Sequence, residues 1–326
     1  MPHKPLRILT WHVHGTYLYY LSQCPHEFYL PKHPARGHGY GGIGGPFPWG
    51  PNVHEIPADE LRRQAFDVVI FQARAQYERD QYEFLTPAQR RLPRIYIEHD
   101  PPREHPTDTR HPVDDPNVLL VHVTAFNDLM WDSGRTPTCV IDHGVKLTED
   151  ARYNGELPRG LVVVNNLKSR GRRLGADIYA RVAKEIPLDL VGMGASEMGG
   201  FGEVPYDRLA GFMARYRFFF NPIRYTSLGL AVLEAMHVGL PVVGLATTEM
   251  VTAIKHGETG YVATDVEQCI AYMRELLRDR DKARRLGEAG RAYARERFSI
   301  ERFVRDWNAT LYRVSGSDHG EARAAI

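Results

Sequence analysis

Four basic side chains lie close together in the second half of the sequence. Lys168, Arg170, Arg172 and Arg173 occur within VVVNNLKSRGRRLGAD, directly after an apolar run and before a helical pattern. Guanidinium groups bind phosphate oxygens in pairs, and a lysine adds a compact positive charge. A solvated basic loop is the more frequent role of any single one of these residues. Four of them within six positions after a strand nevertheless favour a site for a diphosphate.

One acid interrupts the apolar stretch TSLGLAVLEAMHVGLPVV, which begins at Thr226. The stretch predicts a helix over Leu230–Val238, with Glu234 beside its buried face. If Ser227 caps this helix, Glu234 lies beyond the capping positions and does not serve as a capping acid. An acid in this place must either reach solvent or accept hydrogen bonds. The diol of a ribose would donate two hydrogen bonds, and a solvent-exposed glutamate is an equally good interpretation.

Two glycines follow predicted strands in positions where a ligand could approach the backbone. Gly15 lies between His14 and Thr16 at the start of a predicted helix, and Gly192 lies in LVGMGA. Free N–H groups and the dipole at a helix start can receive a phosphate. A simple turn is the commoner role of a lone glycine. The sequence contains neither Gly-x-Gly-x-x-Gly nor Gly-Lys-Ser/Thr, so it indicates neither a dinucleotide fold nor a P-loop.

Histidines are concentrated in the first half of the chain, where twelve of the fifteen precede residue 150. His12, His14, His99, His122 and His143 follow predicted strands. They could bind a metal ion or line a polar cleft. The sequence has no His-x-x-x-His pair on a helix and no His/Cys cluster with ligand spacing, so we predict no metal site.

Apolar runs alternate with helical patterns in two series, which the polar stretch 146–160 separates. Continuous apolar strands between helices are typical of parallel sheets covered on both faces. We therefore predict two doubly wound α/β domains, 1–150 and 151–299, with helices after Asp265. The predicted strands are Leu6–Trp11, Asp67–Phe71, Arg94–Glu98, Val118–Val123, Cys139–Ile141, Leu161–Val164, Leu188–Val191, Phe218–Phe220 and Pro241–Gly244. The predicted helices are Ala58–Ala65, Tyr77–Leu85, Ala125–Asp132, Leu174–Glu185, Tyr206–Tyr216, Leu230–Val238 and Thr248–His256.

The composition is that of a soluble globular protein, with 43% hydrophobic and 25% charged residues. A net charge of +1 gives no overall attraction to nucleic acid or to a membrane surface. No apolar run approaches the roughly 20 residues of a membrane span. The three cysteines are distant from one another, which argues against a disulfide framework. The sequence therefore predicts a cytoplasmic protein with no nucleic-acid partner and no transmembrane segment.

The second half of the sequence resembles the retaining glycosyltransferases of GT-B fold, in particular glycosyltransferase family 4 (group 1). The similarity runs from about Leu161 to Val262. It includes LGLAVLEAMHVGLPVV, Glu249 and HGETGYV, which are close to the Glu-x7-Glu and Gly-x-Pro-Val-Val signatures of the family. In the first half, YIEHD (96–100) is similar to a segment that often carries a functional histidine, and IDHGV (141–145) to one that closes the N-terminal domain.

The resemblance implies a fold and an activity. Two Rossmann-like domains would face each other across a cleft, and a helix at 300–315 would return to the acceptor-side N-terminal domain. The activity would be transfer of a hexosyl or hexosaminyl group from a nucleoside-diphosphate donor, with retention of configuration and no metal or other cofactor. Uridine is slightly favoured as the base because it is common among such donors. The acceptor would be a small molecule, a glycan or a lipid-linked molecule.

The resemblance also implies roles for individual residues. Glu234 takes the position of the acid that binds the ribose, and His99 that of the histidine that faces the donor sugar. Arg170 or Arg173 takes the position of the basic residue that holds the diphosphate. The remaining residues implied for donor binding are Gly15, Thr16, Asn166, Lys168, Gly192, Thr226, Ser227, Leu228, Gly229 and Leu230.

Two positions depart from the family pattern. Thr226 stands where the family has the first acid of its Glu-x7-Glu pair, and Asn166 stands where it usually has an arginine. These departures leave open a degenerate protein that binds a nucleotide sugar without turnover. A nucleotide-sugar epimerase is a further alternative, although the sequence offers few cleft acids for that chemistry.

Residues 31–54 form a Gly/Pro/aromatic segment without a strand or helix pattern. Loops of this length in compact domains are usually functional or disordered. Its glycines make ordering costly, so we predict a mobile loop that borders the acceptor site. Tyr40, Phe47 and Trp49 could stack on a sugar or another apolar acceptor surface.

Overall fold

The computed structural model describes residues 4–147 and 150–316. The chain forms two compact units. The first contains Met1–Gly144 and Ile300–Ile326, and the second contains Val145–Ser299. The chain therefore passes from the first unit to the second and returns at Ile300. Two residues of the polar stretch 146–160, Thr148 and Glu149, lie outside the described residues.

The first unit is built on a parallel sheet of seven strands in the order β3-β2-β1-β4-β5-β6-β7. Consecutive strands run outward in one direction from β1 to β3 and in the other from β4 to β7. The order thus reverses between β1 and β4, where an open α/β sheet forms a crevice at its carboxyl edge. The strands are β1 Arg7–Thr10, β2 Glu27–Lys32, β3 Val53–Pro57, β4 Val68–Phe71, β5 Arg94–Glu98, β6 Val118–His122 and β7 Thr138–Val140.

The second unit is built on a parallel sheet of five strands in the order β12-β11-β10-β8-β9. Here the order reverses between β8 and β10, so the loops that follow these two strands meet at the carboxyl edge. The strands are β8 Leu157–Val163, β9 Leu188–Val191, β10 Tyr216–Asn221, β11 Val242–Leu245 and β12 Gly260–Ala263.

Helices connect the strands in both units. They are α1 Gly15–Leu21, α2 Gln81–Phe84, α3 Ala125–Met130, α4 Leu167–Arg170, α5 Ala176–Val182, α6 Tyr206–Ala214, α7 Leu230–Val238, α8 Met250–Ala253, α9 Val266–Arg278, α10 Arg280–Arg297 and α11 Ile300–Ser315. Within the first unit α11 buries Trp307 completely, and its indole N–H donates a hydrogen bond to Tyr17 Oη at 3.2 Å. Among the described residues, no helix is both long enough and apolar enough to cross a membrane.

The sequence predicted most of the central strands but missed β2, β3 and β12. Pro31 lies inside β2 and opposes Ile56 of β3, and a proline in a short run weakens a strand prediction. The predicted loop 31–54 is therefore wrong at both ends, since its first residues belong to β2 and its last to β3. The helix predicted at 58–65 is a tight helical turn over Ala58–Arg63.

Candidate functional site

The basic segment of the second unit lies beside the segment that leads into α7. The carbonyl oxygen of Arg173 accepts hydrogen bonds from the N–H groups of Arg224, at 3.1 Å, and Tyr225, at 3.2 Å. These bonds join the loop after β8 to the loop after β10 at the point where the strand order reverses. The structure thus brings the predicted diphosphate residues together with the segment that begins at Thr226.

The four basic side chains do not have the same environment. Lys168 and Arg170 are exposed on α4, and Arg173 is half-buried in the turn that follows. Lys168 lies 4.0 Å from Glu197, and Arg172 donates to Asp177 with 2.7 Å between Nη1 and Oδ2. Arg172 therefore belongs to an ion pair within the protein, a role that the sequence pattern did not separate from ligand binding.

Asp177 is the anchor of this basic loop. Arg224 binds it with Nη1 to Oδ1 at 2.6 Å and Nη2 to Oδ2 at 2.7 Å. The hydrogen bonds and charge of Arg224, together with the charge of Arg172, lower the pKa of Asp177 to about 2. The carboxylate therefore stays ionised throughout the neutral range, and Arg224 ties the two loops to α5.

Asn166 and Gly192 hold the loops after β8 and β9 together. Asn166 precedes α4 in a left-handed conformation, with φ 52° and ψ 41°, and its N–H donates to Met193 O at 2.6 Å. Asparagine enters this region of backbone space more readily than arginine. The departure of Asn166 from the family pattern therefore has a local structural reason. A Cβ on Gly192 (φ 129°) would lie 2.8 Å from the Val164 carbonyl oxygen, so close packing accounts for this glycine.

The helix α7 begins at Leu230, with Gly229 rather than Ser227 as its N-cap. Ser227, a candidate cap in the sequence, does not hold that position, and its carbonyl accepts a hydrogen bond from Thr248 Oγ1 at 3.3 Å. Ser227 and Leu228 are buried, while Thr226 and Gly229 are partly accessible. Three residues separate Thr226 from the first residue of α7, at whose N-terminus the helix dipole favours negative charge.

Glu234 is buried, with 4% of its surface exposed. The interpretation as a solvent-exposed glutamate is therefore wrong. The carboxylate borders a cavity of about 10 Å³ between α6 and α7, which Tyr206 and Leu209 also line. Such a volume holds at most one water molecule. This cavity is therefore too small for a ribose.

In the first unit, His99 follows β5 and lies against other polar groups of the carboxyl edge. Its Nε2 is 3.3 Å from Gln72 Oε1, and the Gln72 amide donates to Thr10 Oγ1 and Trp11 O, both at 2.9 Å. This network makes His99 Nε2 the donor. Burial, followed by the nearby His14 and His143, lowers the pKa of His99 well below its usual value. The imidazole is therefore neutral at pH 7.

Gly15 and Thr16 open α1, beside the His14 ring, which lies 3.9 Å from that of His99. A Cβ on Gly15 would lie 2.8 Å from a ring carbon of Phe47. Packing against Phe47 is thus enough to explain this glycine. The structure places these residues near His99 within the first unit and adds no separate phosphate-binding feature.

The aromatic residues of the 33–52 loop contact the protein. Tyr40 is 3% exposed and belongs to the core, so it cannot stack on an acceptor as expected. Phe47 stacks on Tyr19 at 5.6 Å, and Trp49 contacts the edges of both rings. The loop is also tied by His12 Nδ1, which lies 2.9 Å from Gly42 O. These contacts hold the loop against the rest of the first unit, in contrast to the mobility expected from the sequence.

No sequence motif indicated the cavity of about 480 Å³ that lies in the first unit. It opens at the carboxyl ends of β1, β4 and β5, beside the reversal of strand order. Part of its wall comes from the 101–112 segment, which carries no motif. Their position at the end of a strand could have identified Glu98 and His99 as lining residues. Trp131 follows a helix, and only the folded structure shows that it lines the cavity. No group of three or more potential metal ligands occurs within the parts of the chain that the structure describes.

The family model that matches the chain lies within the second unit. Residues 198–293 match the family model described as Glycosyl transferases group 1. The chain is 31% identical over 126 residues to a sulfoquinovosyl transferase of Arabidopsis thaliana, a match that covers 37% of this chain and 23% of that protein. The chain thus spans about a quarter of the length of this curated relative.

Solved structures match nearly the whole chain. The sucrose-phosphate synthase of Thermosynechococcus elongatus superposes with a TM-score of 0.72 at 14% identity, over 95% of this chain and 99% of that one. The Anabaena protein HepE in complex with UDP gives 0.66 at 13% identity, over 95% and 100%. At these identities the likeness concerns the fold. The predicted GT-B class with two parallel sheets is confirmed, and so is the resemblance to group 1 glycosyl transferases.

Proposed function

Because the chain carries a group 1 glycosyl transferase domain in a GT-B fold, we propose that it transfers a sugar from a nucleoside-diphosphate donor to an acceptor hydroxyl. The second unit binds the nucleotide, and the first unit carries the acceptor. Configuration at the anomeric carbon is retained, and the reaction needs no metal ion. A uridine donor is favoured, which the UDP complex of Anabaena HepE supports.

One observation carries this proposal: the hydrogen bonds from Arg224 and Tyr225 to the Arg173 carbonyl. They join the loop that carries three candidate cations to the segment that leads into α7. The candidates are Lys168, Arg170 and Arg173. A diphosphate bound here would meet guanidinium groups, an ammonium group and the positive end of a helix dipole. This is the arrangement that a leaving diphosphate requires.

The reaction breaks the bond between the anomeric carbon and the phosphate oxygen and forms a bond from that carbon to the acceptor oxygen. The acceptor proton passes to the leaving phosphate on the same face of the sugar, so no protein nucleophile takes part. Negative charge then develops on the diphosphate. Lys168, Arg170 or Arg173, with the amides of Leu228 and Gly229, stabilise it more in the transition state than in the ground state.

A degenerate nucleotide-sugar-binding protein is the second candidate, and Thr226 is the observation that favours it. A threonine is shorter than a glutamate and carries no charge, so it cannot offset positive charge on the sugar ring to the same extent. Asn166 does not add to this case, since its left-handed backbone explains it. We favour an active enzyme, because the basic loop and Glu234 accompany Thr226.

Incubation with UDP- and GDP-sugars tests the proposal, with free nucleotide and sugar products analysed together. A transferase releases nucleotide and, with an acceptor, forms a glycoside whose anomeric configuration matches the donor's. An epimerase yields a rearranged sugar without an acceptor, and a binding protein releases nothing. Turnover that a chelator abolishes and Mg²⁺ restores would contradict the metal-independent reaction.

A further inference from the structure

The cavity of the first unit has balanced charge. Three arginines and three acids line it: Arg74, Arg103, Arg110, Glu98, Asp100 and Glu104. The arginines are each paired with a carboxylate; Arg103 and Asp100 are 2.5 Å apart, and Arg110 and Asp114 are 2.7 Å apart. A bound phosphate would have to compete with these carboxylates. The wall therefore offers hydrogen-bond donors and acceptors side by side without an excess of positive charge.

Glu98 is the most firmly oriented acid of this wall. Its side chain is 12% exposed, and its Oε2 accepts from Nε2 of the fully buried His111 side chain at 3.0 Å. The Val113 N–H donates to His111 Nδ1 at 3.1 Å, so the proton of the neutral ring lies on Nε2. Asp100 N–H donates to the other oxygen of Glu98 at 2.8 Å. Each carboxylate oxygen keeps a further lone pair that can accept a hydrogen bond.

Aromatic rings complete the wall. Tyr96 is buried, and Trp131 is half-buried with its indole N–H donating to Asp100 O at 2.8 Å. Their apolar surfaces lie beside the polar groups in the same cavity. A sugar presents the matching combination, because its C–H faces contact aromatic rings while each hydroxyl both donates and accepts.

We propose that this cavity binds the acceptor as a neutral, hydroxyl-rich molecule, a saccharide, and that one of its hydroxyls donates to Glu98. The inference rests on the proposed transferase function, whose acceptor it specifies. Glu98 is a specificity-determining residue here: it positions the acceptor, and His111 positions Glu98. The cavity volume of about 480 Å³ is sufficient for one or two sugar rings.

Ligand binding without a donor tests the inference separately from turnover. The probes are a panel of neutral methyl glycosides and the corresponding 6-phosphates, measured by saturation-transfer NMR on the full chain. We expect at least one neutral glycoside to bind and its phosphate to bind no more tightly. Glu98→Gln should weaken that binding at least tenfold, an effect of about 1.4 kcal/mol. Glu60→Gln, at an exposed site on the same unit, should leave it unchanged.

Tryptophan fluorescence of the same samples shows whether the first unit of Glu98→Gln is folded, since all four tryptophans lie in that unit. As a second variant, Trp131→Leu should also weaken glycoside binding while nucleotide affinity stays at the wild-type level. Three results would overturn the inference. They are tighter binding of the 6-phosphates than of the neutral glycosides, wild-type glycoside affinity in both variants, and no glycoside binding by wild type. If glycosides bind but no donor is turned over, the transferase proposal fails and the saccharide site remains.

Discussion

Arg224 holds Asp177 through two parallel hydrogen bonds of 2.6 and 2.7 Å, and this pair fixes the basic loop beside the start of α7. Asp177→Asn removes the charge and one of the two acceptor oxygens. We expect nucleotide affinity to fall several-fold although Asp177 itself contacts no ligand, because the loop that carries Arg173 is no longer held. Isothermal titration with UDP measures the change.

A matched control exists in the same unit. Glu185 accepts from Arg274 Nη2 at 2.7 Å on the protein surface. Glu185→Gln should leave UDP affinity at the wild-type value. Equal affinities for Asp177→Asn and Glu185→Gln would show that the tether does not position the basic loop. Because the pKa of Asp177 is about 2, the difference between the variants should persist from pH 6 to pH 8.

Glu234→Ala tests the ribose contact. The substitution should weaken nucleotide binding by about 1.5–3 kcal/mol, the range for a hydrogen bond to a charged group. A 2′,3′-dideoxynucleotide lacks the hydroxyls that Glu234 would bind, so its affinity should be the same for wild type and variant. Glu288→Ala, on the exposed side of α10, is the control. Unchanged UDP affinity in Glu234→Ala would remove Glu234 from the site.

His99→Ala separates catalysis from nucleotide binding. Since the proposed nucleotide residues belong to the second unit, the variant should lower kcat strongly and UDP affinity little. His105→Ala, at an exposed position of the first unit, should behave as wild type. Because His99 is neutral at pH 7, wild-type kcat should not rise as the pH falls from 8 to 6. Parallel losses of kcat and affinity would argue against the role of His99.

His122 makes the first unit sensitive to acid. Burial, opposed in part by Asp128 and reinforced by His111, lowers the pKa of His122 to about 4. Between that value and the unfolded pKa of about 6.5, His122 binds a proton in the unfolded chain but not in the folded one. The free energy of unfolding therefore decreases as the pH decreases through this range. From pH 8 to pH 5 this amounts to about 2 kcal/mol.

Tryptophan fluorescence can follow this loss, since all four tryptophans lie in the first unit. Urea unfolding at pH 8 and pH 5 should give a smaller pH difference for His122→Gln than for wild type. What is compared is the change in the free energy of unfolding between pH 8 and pH 5 in each protein. A destabilisation of the variant that is the same at both pH values does not affect this comparison. Identical pH differences in the two proteins would contradict the assignment to His122.

Sequence patterns predicted the central strands because these are short apolar runs buried on both faces. The central strand Arg94–Glu98 has the predicted bounds, and so does Leu188–Val191, an edge strand whose residues are all buried. The strand β2 was missed because Pro31 lies within it, and β3 because its exposed edge position mixes Val53 and Ile56 with polar residues. Edge strands accept polar residues and proline more readily than central strands, so an apolar run identifies them less well.

The candidate site was predictable only where one loop carries several informative residues. Adjacent basic residues indicated the diphosphate site, but Asp177, which pairs with Arg172, is also held by Arg224 from a different loop. The wall of the first-unit cavity likewise combines distant segments, such as Glu98 and Trp131. A local sequence pattern cannot show contacts between residues of distant segments.

Donor turnover by wild type and Thr226→Glu distinguishes an active transferase from a degenerate binding protein. Thr226 leaves more room and less negative charge where the family has a glutamate, so we expect wild type to act on a donor whose sugar is altered or substituted there. Free nucleotide is measured across a panel of nucleotide sugars. We predict turnover of at least one donor by wild type and a changed donor preference in Thr226→Glu. No turnover by wild type together with activity in Thr226→Glu would contradict this prediction and identify a degenerate binding protein.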